Sequence, residues 1–407
     1  MIPELAEDIR WNENYTSLKV GLKNISAEDV LYTFETVNKL QIGDFSESLK
    51  SLKNIQVESP NIVVFNLDRF DRAFLNLLSQ LPVISRTENR FTGEFTIESQ
   101  GSEEVVLRRK MPSDRLVNRI VVKQMPSTRK SIRELVAGNV DITFLASEWD
   151  FKVLTDLQEI QVGELKSRML YLVLQNFKNP GAAAVPWAAI NRNIDRKAII
   201  EKMGEEGFAE ASLPIPKDDP VWGEALPTPS ALGESSSASL GAGNLTATLS
   251  YLGRKSRDEH LALILKRYLE EMGIQIVLKE RTWETFASEL SEKRFDWILF
   301  PYNFKDTLME NWGFHSPEGS QSSNLSNYSN PRFDRFLEEA RYTREDAAAK
   351  AAFRNAMAEL AEHPPGLFLF WLKTSIIYRK SCSGFKYNTN EFFSSLKDVR
   401  CEPSAAN

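Results

Sequence analysis

The chain has 407 residues, of which 42% are hydrophobic, 26% charged and 10% aromatic, the balance of a folded globular protein and not of a disordered or fibrous one. Its 50 Lys and Arg stand against 56 Asp and Glu, a net charge of -6 with both signs interspersed, which argues against a nucleic-acid groove built on clustered cations. No apolar run reaches the roughly 20 residues of a membrane span, and the length accommodates two or three packed units or one large bilobed body.

The opening, MIPELAEDIRWNENY, is acidic and polar where a secretory leader has a basic start and an apolar stretch. Taken literally, the chain starts life in the cytosol. Ser26 precedes Ala27, Glu28 and Asp29, a capping hydroxyl followed by carboxylates that suit a helix N-terminus. Val30, Phe34 and Val37 then form the apolar stripe of that helix. Arg119 to Lys123 reads as a strand, Ser131 opens a short helix closed by Gly138-Asn139, and Val140, Ile142 and Phe144 alternate as a second strand. Together they predict a βαβ unit. Ala209 to Asn244 carries five prolines and then a Ser/Ala/Gly-rich run, the composition of an interdomain linker or a surface excursion.

The second half repeats the strand and helix alternation more fully. Leu245 to Tyr251 is a strand, and Asp258 to Met272 is a helix with Leu261, Ile264, Leu265, Tyr268, Leu269 and Met272 on one face. Gly273 closes it, Ile274, Ile276 and Leu278 alternate as the next strand, Thr282 to Leu290 is helical, and Phe295 to Phe300 is a buried strand. Strands separated by helices predict parallel or mixed sheets with helices on their faces, an α/β fold. A further helix carries Phe353, Ala356, Met357 and Leu360 and is stopped by His363-Pro364-Pro365.

Catalytic and metal signatures are missing. His260, His315 and His363 are isolated in sequence and lack metal-ligand spacing, and there is no nucleophile elbow, phosphate-binding loop or dinucleotide fingerprint. The sequence therefore points to a non-enzymatic protein with no cofactor. Cys382 and Cys401 are compatible with one disulfide or with two free thiols.

Binding chemistry gathers after the strand ending at Phe300. Tyr302, Asn303, Lys305 and Asp306 are followed by Trp312, a mixture of aromatic walls and hydrogen-bonding or charged groups. In open α/β sheets ligands lie beyond the carboxyl ends of strands. Tyr251 and Arg254, at the end of the strand from Leu245, are candidates for the same space.

The order of several short segments resembles the family 5 extracellular solute-binding proteins, the peptide, dipeptide and nickel binding components of bacterial ABC importers. Pro3-Glu4-Leu5-Ala6-Glu7 is similar to that family's "P-x-L-A-E" hairpin opening, and Ser26-Ala27-Glu28-Asp29-Val30 to its "T-A-x-D-V" helix start. Gly93-Glu94-Phe95, Val140-Asp141-Ile142, Ile194-Asp195-Arg196, Gly273-Ile274 and Phe295-Asp296 follow in the family's order. Tyr328 to Asp334 then resembles its "Y-x-N-P-x-F-D" loop, and Pro364-Pro365 and Gly384-Phe385 its terminal segments.

The resemblance implies a bilobed, periplasmic-binding-protein-like (type II) architecture with mixed sheets and a discontinuous first lobe. Residues 1–172 plus 376–407 would form lobe I, N-terminally incomplete, and 173–375 lobe II, with the stretch 209–244 as a surface excursion. It implies a monomer that captures a peptide-like or other small polar solute by hinge closure, working with an ABC permease and ATPase at a periplasmic or cell-surface location. It also exposes departures. The "P-x-L-A-E" segment starts at residue 3, where the family has about fifty or more residues before it, so a missing beginning is expected. Peptide binders carry "W-x-x-D-Y" at the cleft, whose Asp pairs with a peptide amino group; here Tyr302 stands near the Trp position and Lys305 in place of the Asp, with Asp306 one residue later. A lysine there repels an ammonium group. The alternatives to a transport component are a cytosolic regulatory or sensor module with the same fold, and a truncated relative with no binding activity.

Overall fold

The computed structural model describes residues 5–40, 49–87, 90–91, 93–126, 128–145, 157–165, 169–179, 185–204, 208–225, 245–253, 256–304, 306–316, 324–372, 374–386 and 395–402. The fold is mixed α/β, with several separate sheets among the described residues. It divides into two compact units: residues 1–92, 171–194 and 211–369 form the first, and 93–170, 195–210 and 370–407 the second.

The first unit begins with an antiparallel sheet of β1 (Ala6–Trp11), β2 (Ser17–Leu22), β3 (Leu52–Ser59) and β4 (Ile62–Leu67) in the order β1-β2-β4-β3. Along β2 and β4 every second residue is buried, the pattern of a sheet with one solvated face. Leu18, Val20, Val63 and Phe65 pack there against Val30 and Phe34 of α1 (Ala27–Leu40) and Phe74 of α2 (Phe74–Gln80). The α1 start is a reciprocal cap. The Asp29 amide donates to Ser26 Oγ at 3.1 Å, while the Ser26 hydroxyl and amide donate back to Asp29 Oδ2 at 2.7 and 3.2 Å. Burial works against the Asp29 carboxylate, but the Arg86 amide and these Ser26 bonds outweigh it and hold the group below its usual range.

A second sheet of this unit uses β5 (Met169–Gln175), β6 (Leu245–Leu252), β7 (Ile274–Arg281), β8 (Trp297–Asn303) and β9 (Gly366–Trp371), in the order β9-β5-β8-β6-β7. The expected βαβαβ run is present. β6 pairs in parallel with β7 from Leu245↔Ile274 to Leu252↔Arg281, and with β8 from Leu249↔Trp297 to Tyr251↔Leu299. Helices α3 (Ser256–Glu271) and α4 (Trp283–Ser291) make the two crossovers. Gly273, at φ 89, ends α3 in the left-handed conformation that a side chain would disfavour. β5 and β9 are buried almost throughout. A Cβ on Gly366 would lie 1.9 Å from the Val173 carbonyl oxygen, so this close approach admits only glycine.

Further helices of the unit include Trp187–Asn193, α5 (Thr307–Glu310), α6 (Pro331–Tyr342) and α7 (Asp346–Glu362). Asn330 caps α6 by accepting from the Arg332 and Phe333 amides, with Pro331 in the first turn. Arg341 of α6 is sealed against the chain just before α2. Its guanidinium donates to both Asp71 oxygens at 2.9 and 2.6 Å, and the two side chains are 1% and 0% exposed. The Ser51 hydroxyl adds a 2.7 Å bond to Asp71, and Arg72 pairs with Asp346 at 2.6 Å.

Part of the proline-rich stretch is core and not surface excursion. Ala211, Leu213, Ile215 and Trp222 are buried, and Trp222 lies 4.6 Å from Phe353 of α7. The physical reason is that its apolar residues between the prolines find a hydrophobic helix face, which composition alone does not reveal. Residues 226–244 lie outside the described residues.

In the second unit Phe95–Gln100, Glu104–Arg109 and Arg119–Lys123 form an antiparallel meander. Thr374–Arg379 lies between Ile142–Leu145 and Ile160–Leu165, antiparallel to both. The strands flanking the helix Thr128–Val136 therefore belong to different sheets, which corrects the predicted βαβ unit of residues 119–145. Val121 and Val122 are 37% and 47% exposed, whereas a parallel strand is buried on both faces. Cys382 and Cys401 face each other across a two-stranded antiparallel pair and are joined by a disulfide, which closes that open question of the sequence.

Candidate functional site

The segment following β8 holds most of the residues that the sequence singles out. Tyr302 donates its hydroxyl to Glu310 Oε2 at 2.8 Å, and its ring meets Phe300 and Phe304 edge-on at 6.1 and 5.0 Å. Asn303, the last residue of β8, is exposed. Its amide makes no hydrogen bond among the described residues. Tyr251 lies on the adjacent strand β6, where it is level with Leu299 of β8, three residues short of Tyr302. It is only 6% exposed, and burial, reinforced by Glu280 and Glu259, raises its hydroxyl pKa. Lys305 and Arg254 lie outside the described residues.

Asp306 and Trp312 are engaged within the fold. Asp306 caps α5, its Oδ1 accepting from the Met309 amide at 3.0 Å, while its Oδ2 accepts from the Asn76 side chain. Burial pushes the Asp306 carboxyl up, and Asp219 adds to it, against the lowering bonds from Met309, Asn76 and Leu308. Trp312 is 5% exposed. His315 stacks on its ring at 4.8 Å with an 8° interplanar angle, and the Arg341 guanidinium lies 4.9 Å from its centroid. His315 is buried. Its Nε2 is 3.4 Å from Glu338 Oε1 without a hydrogen bond.

His363, Glu359 and Glu362 bring ligand atoms within 4.8 Å of one another. The Glu359 carboxylate there already takes His363 at 3.1 Å, Asn330 at 3.2 Å and Arg332 at 3.3 Å. His260 sits exposed on α3.

Sequence reasoning overlooked a polar cavity of about 610 Å³ in the first unit. Thr248 and Ser250 of β6, Lys279 and Arg281 of β7, Glu289 of α4, and the α4–β8 connection with Lys293 and Asp296 line it, with Asn176 and Lys178 after β5. A signal was available. Polar residues spaced by two on adjacent parallel strands share one face, and Thr248/Ser250 and Lys279/Arg281 follow that spacing on β6 and β7.

The family description "Bacterial extracellular solute-binding proteins, family 5 Middle" matches residues 1–324. Among curated proteins, Protein XP55 of Streptomyces lividans is 24% identical over 196 residues, 44% of this chain but only 36% of that relative's length. Among solved structures, NikZ from Campylobacter jejuni in complex with Ni(L-His) superposes with a TM-score of 0.83 at 16% identity, covering 98% of this chain and 90% of NikZ. DppA from Helicobacter pylori in complex with the peptide STSA gives 0.83 at 16% identity over 98% and 89%, and AppA from Bacillus subtilis with a nonapeptide gives 0.80 at 15% over 98% and 90%. These likenesses establish a periplasmic-binding-protein fold.

Proposed function

The chain belongs to family 5 of the bacterial extracellular solute-binding proteins, and from that premise we propose that it is the substrate-binding component of an ABC-type importer. Its ligand is a peptide-like or other small polar solute. The observation that carries this reading is the extent of the similarity: the family description covers residues 1–324, and the fold of peptide-bound and nickel-histidine-bound relatives extends over 98% of the chain.

In this reading the protein is a monomer that delivers its solute to a separate permease and ATPase. Capture proceeds by closure around the ligand, which holds the closed state through better contacts there. The lobe assignment of 1–172 with 376–407, and 173–375, is part of the proposal; it differs from the two compact units described above, which group residues 1–92 with 211–369. The site is proposed as well. Tyr302 and Asn303 offer an aromatic surface and a side-chain amide that makes no hydrogen bond among the described residues, with Tyr251, Arg254 and Lys305 as further contributors. Asp306 and Trp312 serve it by holding the segment in place through α5 and the His315 and Arg341 stack. The Cys382–Cys401 disulfide supports a periplasmic or cell-surface location, because disulfides persist in oxidising compartments.

Calorimetric titration with pools of short peptides and with nickel–histidine tests the reading. One-to-one binding by at least one pool is expected, weakened about tenfold or more by Asn303→Ala or Tyr302→Ala. Absence of binding to every pool, together with no co-purified ligand mass, contradicts it.

A further inference from the structure

The cavity between α4 and the β6–β7 face has a charge balance that no partner among the described residues explains. Its walls carry five cations, Lys178, Lys279, Arg281, Lys293 and Arg294, against three carboxylates, Glu289, Glu292 and Asp296. All three carboxylates are occupied. Glu289 pairs with Arg281 at 2.6 Å, Glu292 with Arg294 at 2.8 Å, and Asp296 accepts from the Asn179 side chain at 2.6 Å and the Thr248 amide at 3.3 Å. What remains is an excess of ammonium groups: those of Lys178, Lys279 and Lys293 have no ion pair or hydrogen bond among the described residues.

The two lysine-bearing segments are held in place by one buried side chain. Asn176 donates to the Lys293 carbonyl oxygen at 2.7 Å and accepts from the Lys178 amide at 3.1 Å and from Asn327 at 2.9 Å. Lys293 itself adopts φ 54, a left-handed conformation that costs free energy in a residue with a side chain. Burial lowers its pKa, and the Lys178 charge lowers it further. Lysines on backbones tied together in this way bring like charges near one another, an arrangement that favours an anion.

A few other lining atoms also lack a partner among the described residues. Arg281 Nε and Glu289 Oε2 are buried without a hydrogen-bond partner, and the hydroxyls of Thr248 and Ser250 make no bond among the described residues. The Thr248 and Ser250 hydroxyls on the cavity wall can each donate to or accept from a ligand hydroxyl. A volume of about 610 Å³ is far larger than one inorganic oxyanion and falls within the range of small-molecule sites.

We propose that this cavity binds a phosphomonoester with a hydroxylated body, of the sugar-phosphate class, its phosphate held by Lys178, Lys279 and Lys293 and its hydroxyls by Thr248 and Ser250. The site is separate from the solute site proposed above. Asp296 precedes the start of β8 and Tyr302 is near its end, about 20 Å apart along an extended strand, and Ser250 of the cavity and Tyr251 are consecutive on β6 and so face opposite sides of the sheet. Its occupancy does not depend on whether the chain serves an importer.

The experiment titrates the intact protein with glucose 6-phosphate, and separately with glucose, with inorganic phosphate and with sodium chloride at matched ionic strength, followed by calorimetry. Saturable one-to-one binding of glucose 6-phosphate is expected, at least about tenfold tighter than phosphate or glucose alone, since each supplies only part of the contacts. Lys178→Gln and Lys293→Gln should each weaken it about tenfold, and the double variant should abolish it. Lys178 is exposed, so its variant keeps the fold, and an unchanged thermal midpoint checks this. Absence of saturation, an equal response to chloride, or full binding by the double variant overturns the proposal. Binding of inorganic phosphate as tight as that of glucose 6-phosphate overturns the assignment of the hydroxyl contacts.

Discussion

Two regions of the first unit, the segment after β8 and the cavity lined by β6, β7 and α4, invert what their compositions announce. The first is rich in aromatic and charged residues, yet Trp312 is occupied by His315 and Arg341, and Asp306 by Asn76 and the α5 amides. The second is assembled from lysines and small hydroxyls scattered between residues 176 and 327, and several of its polar groups have no partner. Unmet bonding capacity, more than the presence of suitable residue types, marks a place where a ligand can contribute free energy.

The sharpest way to break the comparison is to remove Arg341. If the segment after β8 is fastened as described, Arg341→Ala strands the Asp71 carboxylate in the core and costs about 3–5 kcal/mol in denaturant unfolding. An Arg341→Met, Asp71→Asn double variant should recover much of that loss, because no uncompensated charge stays buried. A loss below about 1 kcal/mol for Arg341→Ala would mean that Trp312 and its neighbours are not anchored through this ion pair.

A smaller effect is expected at Asp306. Asp306→Ala removes the α5 cap and should cost about 1 kcal/mol, whereas Asp306→Asn keeps a capping side chain. The sign of the pH dependence follows from its raised carboxyl. The native state binds the proton more tightly than the unfolded chain, so ionisation costs stability above the folded pKa and the cost is relieved as pH falls through it. Asp306→Asn should therefore be favoured over wild type more at neutral pH than at about pH 4, near the ordinary carboxyl value, as read by paired denaturation curves.

The smallest effect belongs to the cavity. Lys178→Gln with Lys293→Gln should change unfolding stability by no more than about 0.5 kcal/mol, as for surface positions. The direction is upward at neutral pH. Lys293 has a lowered pKa, so its charged form is disfavoured in the native state below that value and the gain fades as pH rises through it. A clear loss of stability would assign these lysines a structural role and erase the contrast between the two regions.

The sequence was legible where local signals and final partners coincide. The Ser26–Asp29 cap, the Gly273 stop and the β6-α3-β7-α4-β8 run each rest on spacing within a few residues. It misled where pairing is remote. Residues 119–123 and 142–145 have strand patterns, but 142–145 pairs with Thr374–Arg379, more than two hundred residues later, and periodicity carries no information about which strands meet. The same holds for the sites. Tyr302 and Asn303 fall on the rule that ligands lie beyond strand ends, while the cavity lysines are neighbours only through the parallel register of β6 and β7 and the Asn176 bonds.

Solute capture is tested most directly by native mass spectrometry of the protein purified without denaturation. Family membership and fold predict a population carrying one bound solute per chain, displaced when a competing peptide pool is added. Protein that is bare from every growth medium, and that stays bare with peptide pools and with nickel–histidine, would contradict the assignment as a solute-binding component.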